Sequence, residues 1–598
     1  MSYLTAHPDS IAAAAADLEE IRSAIGAANT AAAGPTTSLV AAARDEVSAA
    51  TAALFNTYAA EYQAVVAQAS SFHDHLVALL AGSGLAYVET EIANAASSEL
   101  GVLTAPLRSL LGGSASGASP AANSIIDLVL GASGYPIPWQ IPAYITELPV
   151  IYLDQLWNAP NVFGTIIGIA TPEGLYPLTG INNLTFDVSA AQGVTILDGA
   201  IRSAISSGAT QINVFGYSQS ANIVSQEIMA LNPTNTPGGS LLPPGTNLNF
   251  TLVGDVSNPN GGLLARFPGL SLPSLGLTFG LATPDNSFPT KIYTIEYDGF
   301  ADFPQYPLNV VSDVNAFFGI IELHGQYPYM DPSTATLLTN TTGHPLTDYY
   351  IYQTQNLPLL DPIRAIPVIG QPIVDLIQPD LKVLVDLGYG STTQGWSPGA
   401  PNVPTAFGVI PPVSPGSVLS ALATGTQQGI GAFTSDITTM ASSPASFSLA
   451  GLTPSLGALG SSVATGSALL PAMTSALSSP ASFISSVQGA NAFLSNAVSG
   501  GLSAAYATLL PTADIVNALA ISMPSYDINL FLDGVEQIVN GDSVGGLIYA
   551  FGAPVAADSA LLVLATGFEF RVLEHAAVSI IDGFIPPAPS SPSTPVGL

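Results

Sequence analysis

The sequence predicts a chain of three parts: an N-terminal antiparallel pair of helices, a central α/β region built on a mostly parallel sheet, and a helical C-terminal extension. Three observations support this division. Residues 1–95 are rich in alanine and place apolar side chains at helical spacing. Residues 124–390 alternate short β-rich runs with helical patterns. Residues 391–585 consist mainly of Ala, Ser, Gly and Leu.

The composition excludes several classes of function. Among 598 residues, 41 are acidic and 9 are basic, so the formal charge of −32 argues against binding to nucleic acid or anionic lipid headgroups. The absence of cysteine excludes disulfides, thiolate nucleophiles and cysteine metal ligands. The first residues lack the pattern of a classical signal peptide, and no strongly apolar, charge-free run predicts a membrane span. A mean hydropathy of +0.44 is nevertheless high, which indicates helices that need a partner or lie next to lipid.

The N-terminal part predicts two long helices joined by a tight turn. Pro8-Asp9-Ser10 is a helix start, Ala33-Gly34-Pro35 interrupts the pattern, and a second helix is predicted from about residue 38 to residue 80. A lone hairpin of this kind cannot bury both of its apolar stripes. We therefore expect a helical partner.

Residues 1–95 resemble the N-terminal domain of the mycobacterial PE family. The resemblance rests on the helix pair, on Pro8-Asp9 where the family has Pro-Glu, and on the segment from Tyr87 to Glu91. Tyr87 and Glu91 fit the Y-x-x-x-[DE] signal that this family uses for type VII secretion. The resemblance implies a PPE protein as the partner of helices 1–80 and a secretion machinery or chaperone that reads the signal. It also implies a secreted, cell-wall or cell-surface location.

The central region follows a linker of small residues, 96–123. Two of its segments, Ser189–Ser206 and Ser220–Ala230, are predicted helices. Six short β-rich runs are candidate strands: Ile125–Leu130, Thr165–Ala170, Gln211–Phe215, Asn249–Val253, Ile292–Tyr297 and Tyr349–Tyr352. This alternation favours a mostly parallel sheet flanked by helices.

A predicted strand, a sharp turn and a predicted helix meet at Ser218. The apolar run ends in Gly216-Tyr217-Ser218-Gln219-Ser220, and apolar residues at helical spacing follow at once. The pattern is typical of the nucleophile elbow of α/β-hydrolases. The strained turn requires small residues two positions before and after the serine. Gly216 and Ser220 meet this requirement, although glycine is usual at the second position.

A serine nucleophile needs a histidine base, and the sequence offers few. Four of the six histidines lie outside the central region, at His7, His73, His75 and His575. The order of serine, acid and histidine in α/β-hydrolases leaves His324 and His344. His324 lies between an apolar segment and a glycine turn, whereas His344 lies in a polar loop. We favour His324 and keep His344 as the alternative.

The acid that orients the histidine is expected after the second strand beyond the elbow. That strand, Ile292–Tyr297, leads into Asp298-Gly299-Phe300-Ala301-Asp302. Asp298 lies at the strand end and is preferred, and Asp302 is the alternative. Asp255, after the preceding strand, is a weaker candidate.

Two hydrogen-bond donors are needed to stabilise a developing oxyanion. One is predicted to be the backbone N–H of Gln219. The other is expected from Gly131-Ala132-Ser133-Gly134, where glycines allow close approach of the backbone and Ser133 also offers a hydroxyl.

Residues 124–390 resemble the PE-PPE domain, a serine-hydrolase module related to cutinases. The resemblance lies in four segments: Gly131–Gly134, Gly216–Ser220, Tyr297–Pro304 and Leu357–Pro362. It implies hydrolysis of short- to medium-chain carboxylic esters, and this family accepts Ser220 in its elbow. It also favours Asp298 and His324, which correspond to the Gly-Asp-x-Val-Cys and His-x-x-Tyr segments of cutinases. The chain departs from cutinases in lacking disulfides and in its longer gap between acid and histidine.

The C-terminal part, 391–585, is expected to be a weakly packed helical extension without a catalytic motif, or alternatively a surface that touches envelope lipid. Leu530–Ile538 and Ala560–Ile581 have the better amphipathic patterns, and the Pro- and Ser-rich residues 586–598 predict a disordered tail.

These observations, together with the two family resemblances, predict an exported, cell-envelope serine esterase in which Ser218, His324 and Asp298 act without a metal or cofactor. The same residues would serve an acyltransferase acting on envelope glycolipids. A non-catalytic envelope or host-interaction protein is the alternative of a different class.

Overall fold

The structure is a computed structural model. It describes residues 125–136, 138, 147–181, 183–442 and 508–584, together with 33, 34 and 52. The predicted N-terminal hairpin, the linker 96–123, the secretion signal at Tyr87 and Glu91, and the tail 586–598 therefore lie outside the described residues.

Nine strands are present in the described residues. They are β1 (Ile125–Leu130), β2 (Thr165–Ile169), β3 (Gln211–Tyr217), β4 (Leu248–Val253), β5 (Ser271–Leu272), β6 (Leu277–Thr278), β7 (Thr290–Ile295), β8 (Thr336–Leu337) and β9 (Thr347–Tyr352). β5 and β6 form a small hairpin, and the other seven form one sheet in the order β2-β1-β3-β4-β7-β9-β8. Neighbouring strands in this sheet are parallel except for β8 and β9. The predicted mostly parallel sheet is confirmed.

Helices cover this sheet and continue beyond it. The long helices are α1 (Phe186–Ser206), α2 (Gln219–Leu231), α3 (Val310–Glu322), α4 (Gly370–Leu387), α5 (Pro415–Ser442), α6 (Met523–Val539) and α7 (Ser543–Phe584). Short helical segments are Val150–Asp154, Gln155–Trp157, Leu263–Arg266, His324–Tyr329, Pro332–Thr334, Pro358–Leu360, Asp361–Arg364 and Ala518–Ser522. The two predicted helices of the central region correspond to α1 and α2.

β3 lies inside the sheet, and both of its faces are buried. On one face Val214 belongs to a hydrophobic cluster that includes residues of α1 and α2. On the other face Phe215 packs against Tyr152, with ring centroids 5.6 Å apart. Burial on both faces is expected for a strand of a parallel sheet covered by helices. Burial of β3 on both faces holds the strand in place. The residues that follow β3 therefore have a defined position at the carboxyl edge of the sheet.

The helices of residues 508–584, called here the C-terminal helix pair, pack on the central region. α6 and α7 contribute Met523, Leu530 and Ala556 to a buried cluster that also contains Phe267 and Phe303. The expectation of a weakly packed extension is therefore wrong for these residues. Alanine and glycine at the inward positions do not indicate from the sequence that these helices pack on the central region. Small side chains nevertheless allow helices to approach closely and to bury apolar area.

The C-terminal helix pair also has an exposed apolar face. Thr508–Val539 and Ser543–Glu574 are long and apolar enough to cross a membrane by length and composition alone, although the sequence analysis predicted no span. Large exposed side chains on them include Ile521, Phe551 and Phe570. The pair thus buries one face on the central region and presents another apolar face outward.

Candidate active site

Ser218 lies in a strained turn between β3 and α2. Its backbone angles, φ 60° and ψ −117°, are rarely adopted by a residue other than glycine. Gly216 makes the turn possible, because a Cβ there would lie 2.9 Å from the backbone oxygen of Ser220 and 3.0 Å from a methyl group of Val224. This is the geometry expected of a nucleophile elbow.

Ser220 closes the turn. The backbone N–H of Tyr217 donates to its hydroxyl oxygen at 2.8 Å, and the hydroxyl donates to the backbone oxygen of Tyr217 at 3.1 Å. The sequence pattern requires only a small residue at this position. The structure adds two hydrogen bonds that a glycine could not make.

His324 comes directly after α3 and begins a short 3₁₀ helix, His324–Tyr329. Its Nε2 lies 2.8 Å from the Ser218 hydroxyl oxygen, and its side chain is buried. Gly254, at the end of β4, leaves room for the imidazole ring, since a Cβ there would lie 2.9 Å from the His324 Cε1. Serine and histidine, separated by 106 positions, are thus within hydrogen-bonding distance.

Asp298 holds the other side of the His324 ring. Its Oδ2 and Oδ1 lie 2.8 Å and 3.0 Å from Nδ1 of His324. The carboxylate is fully buried and also accepts a hydrogen bond from the backbone N–H of Phe300 at 3.1 Å. The structure therefore brings Ser218, His324 and Asp298 into one continuous chain of hydrogen bonds.

None of the alternative residues takes part in this chain of hydrogen bonds. Asp302 accepts a hydrogen bond from the backbone N–H of Tyr297 at 3.0 Å, and burial raises its pKa well above the usual range. His344 is exposed in the loop before β9. Asp255 accepts from the Ser257 N–H at 2.9 Å and from a threonine hydroxyl at 2.6 Å, and burial raises its pKa to about 6.

Tyr327 supports the carboxylate of Asp298. Its hydroxyl donates to Oδ2 of Asp298 at 2.7 Å and accepts from the backbone N–H of Ile295 at 2.9 Å. Burial, followed by the nearby Asp298 charge, raises the pKa of Tyr327 well above its ordinary value, so the hydroxyl keeps its proton. Tyr327 is the tyrosine of the His-x-x-Tyr segment that begins at His324, and no spacing rule predicts its contact with Asp298.

Replacement of Tyr327 by phenylalanine is expected to impair both stability and turnover. The buried N–H of Ile295 loses its acceptor, which costs about 1–3 kcal/mol of unfolding free energy. The loss of a hydrogen bond to the Asp298 carboxylate is expected to lower kcat about tenfold. Denaturant unfolding and steady-state kinetics on an ester would measure the two effects. Tyr329→Phe is the matched control, because Tyr329 is 67% exposed; equal losses in both variants would contradict the assignment.

Gln219 and Ser133 lie side by side next to the elbow. Both side chains are buried, and the Ser133 hydroxyl donates to Oε1 of Gln219 at 3.0 Å. The Gln219 amide nitrogen donates in turn to the backbone oxygen of Gly174 at 2.9 Å. The Ser133 hydroxyl proton is therefore directed to Gln219 rather than to Ser218.

Glu173 is a buried acid behind this loop. Its backbone oxygen accepts from the N–H of Gly134 at 2.8 Å, and the Thr171 hydroxyl donates to its carboxyl group at 2.5 Å. Burial raises the pKa of Glu173 from 4.5 to about 8. The acid is thus favoured in its neutral form in the folded protein.

Glu173 is expected to make stability fall as pH rises. Because its pKa is higher in the folded than in the unfolded state, its contribution is complete below about pH 4.5 and is lost as pH rises through about 8. The slope reaches at most about 1.4 kcal/mol per pH unit. Thermal unfolding of the native chain and Glu173→Gln across this interval should show a flatter profile for the variant. Parallel profiles would contradict the prediction.

An apolar pocket lies next to Ser218. Its volume is about 1110 Å³, including the part open to solvent. Ser133 and Ser218 lie at its polar end, and side chains such as Leu272, Phe279 and Phe300 line the remainder. The segment 259–289 contributes several of these residues. The C-terminal helix pair, in which the sequence analysis found no catalytic motif, contributes another wall.

The fold defines the class of protein: a mostly parallel sheet with flanking helices, similar to that of α/β-hydrolases. Residues 164–390 match the PE-PPE domain, and residues 4–94 match the PE family. The chain belongs to the PE family and carries a PE-PPE domain, as the resemblance predicted.

Similar proteins of Mycobacterium tuberculosis (strain ATCC 25618 / H37Rv) support this assignment. The PE family protein PE3 is 42% identical over 72% of this chain and 87% of its own length. Esterase PE16 is 41% identical over 69% of this chain and 73% of its own. The PPE family protein PPE28 is 43% identical over 86% of this chain and 74% of its own. The likeness thus extends to both PE and PPE proteins.

Proposed function

We propose that this chain is a serine esterase that hydrolyses lipid-type carboxylic esters of short to medium acyl chain. The single observation that carries the proposal is the hydrogen-bonded chain from Ser218 through His324 to Asp298, with distances of 2.8 Å on both sides of the imidazole. This arrangement fulfils the geometric requirement of a serine nucleophile with an oriented base. The name of the similar protein Esterase PE16 is consistent with it.

In the proposed reaction, Ser218 attacks the ester carbonyl while its proton passes to Nε2 of His324. The tetrahedral intermediate collapses, the ester C–O bond breaks, and the imidazolium gives its proton to the departing alcohol. Water then attacks the acyl-enzyme through the same base and releases the acid and the free serine. Asp298 fixes the orientation of the ring and stabilises its positive charge. The backbone N–H of Gln219 and a backbone N–H of the Ser133 loop are the proposed oxyanion donors.

The proposed cellular setting follows from family membership. We propose export through a type VII route that reads Tyr87 and Glu91, pairing of helices 1–80 with a PPE protein, and a cell-wall or cell-surface location. The exposed apolar face of the C-terminal helix pair supports peripheral association with uncharged envelope lipid. The charge of −32 disfavours anionic headgroups.

A single assay separates this function from its alternatives. The native chain is incubated with p-nitrophenyl butyrate in the presence and absence of trehalose, and the acyl products are identified by mass spectrometry. Free butyrate in both conditions is expected for an esterase. Acyl-trehalose as the main product would indicate an acyltransferase instead. Failure to consume the ester would favour the non-catalytic alternative and overturn the proposal.

A further inference from the structure

The C-terminal helix pair lies outside residues 164–390, which match the PE-PPE domain, but it is fastened to that domain by specific contacts. The Tyr176 hydroxyl donates to the carboxylate of Asp514 at 2.5 Å, and the Ser274 hydroxyl donates to the backbone oxygen of Asp514 at 2.8 Å. The Tyr526 hydroxyl donates to the backbone oxygen of Pro268 at 3.2 Å. These bonds position the helices relative to the loops around the candidate site.

The same helices form one wall of the pocket at Ser218. They contribute eight of its 23 lining residues, from both helices of the pair. Six of the eight have large apolar side chains: Ile515, Leu519, Met523, Leu561, Leu564 and Phe568. The helix pair closes the pocket on this side. The size and shape of the pocket therefore depend on the helix pair as well as on the PE-PPE domain.

The chemistry of the lining favours an alkyl chain. All lining residues are apolar except Ser133, Ser218 and Tyr176, whose hydroxyl is bonded to Asp514. An acetyl group would leave most of the pocket unfilled. Each methylene group of a longer chain that enters it contributes about 0.8 kcal/mol by leaving water, so affinity should rise with chain length until the wall is reached.

The wall is also in contact with the candidate base through aromatic rings. Phe568 of α7 stacks on Phe300 with a centroid distance of 6.2 Å and an interplanar angle of 17°. Phe300 in turn packs edge-on against the His324 ring at 4.8 Å. A chain that fills the pocket would therefore contact side chains that surround the reacting groups.

We propose that the C-terminal helix pair is the specificity wall of an acyl-chain pocket and sets the longest alkyl group that the site accepts. The proposal deepens the esterase function proposed above and rests on it for the position of the ester group. Ala565, which lines the pocket beside Leu564, is the position at which added bulk would shorten the pocket.

The test compares Ala565→Trp with Thr566→Trp, which places the same bulk at the next position of α7, where the side chain is exposed. Both variants and the native chain are assayed on p-nitrophenyl acetate, octanoate and palmitate. We expect the native chain to prefer octanoate to acetate. Ala565→Trp should lower kcat/KM for the longer esters about tenfold to hundredfold, with little change for acetate. Thr566→Trp should retain the native profile.

A binding measurement makes the outcome independent of catalysis. A pyrene-labelled fatty alcohol, which contains no ester, is titrated into Ser218→Ala with and without the Ala565→Trp change, and circular dichroism verifies folding of each variant. Weaker alcohol binding in the Ala565→Trp variant, but not in a Thr566→Trp variant, would support the helix pair as the wall of the pocket. This result would hold even if the native chain hydrolysed no ester. In that case the proposed esterase function would fail, but the proposed specificity wall would not. Equal chain-length profiles and equal alcohol binding in all variants would overturn the specificity wall.

Discussion

Replacement of Ser218 by alanine is expected to lower kcat for ester hydrolysis by at least about 10⁴-fold, with little change in folding. The hydroxyl oxygen is the atom that would form the acyl-enzyme, and it lies 2.8 Å from the His324 base. A methyl group cannot replace it as a nucleophile. Alanine also removes no backbone hydrogen bond of the turn, so the loss should appear in kcat rather than in the unfolding midpoint.

Ser206→Ala is the control for this change. Ser206 lies at the exposed end of α1, and its hydroxyl donates only to a neighbouring backbone oxygen. The Ser206→Ala variant should hydrolyse the ester at the native rate. Steady-state kinetics on p-nitrophenyl butyrate measures both variants. Activity retained in a folded Ser218→Ala protein would show that another group performs the chemistry.

The second large effect is expected at Asp298. An isosteric Asp298→Asn change should lower kcat on the order of 10⁴-fold, because an amide neither stabilises the imidazolium nor fixes the tautomer that places the free electron pair toward Ser218. The amide would also face the Tyr327 hydroxyl, which donates to the native carboxylate at 2.7 Å. The size of the change can be measured in the same ester assay.

Asp302→Asn is the comparison that separates the two acids. The amide oxygen can still accept from the Tyr297 N–H, as the carboxylate does at 3.0 Å, so activity should stay within about tenfold of native. If Asp302→Asn abolished turnover while Asp298→Asn did not, the assignment of the acid would be wrong.

Much of the central region could be predicted because its elements carry local patterns. The six predicted strands all form, and each lies within a few residues of its expected bounds, since β-branched and aromatic runs separated by turns are readable over short distances. The small number of histidines narrowed the choice of base to two. Asp298 is preferred because the acid is expected after the second strand beyond the elbow and Asp298 lies at the end of that strand.

The remaining features depend on contacts between distant residues of ordinary type. The hydrogen bond from Tyr327 to Asp298 requires the end of α3 to return to the carboxyl edge of β7, and a tyrosine in a sequence does not indicate its partner. The wall formed by Leu561 and Phe568 lies more than 300 positions from Ser218 in the chain. Small and apolar residues at helical spacing in the C-terminal helix pair predict helices that pack against something. They do not indicate on which surface the helices pack.

Ser218 is the proposed nucleophile, and labelling of the full chain with a fluorophosphonate tests this role most directly. The reagent forms a covalent bond with an activated serine, and mass spectrometry of the digested protein locates the modified residue. We expect one adduct, on the peptide that contains Ser218, and no adduct in Ser218→Ala. An adduct on another serine, or no adduct on the folded native chain, would contradict the role of Ser218 as the nucleophile.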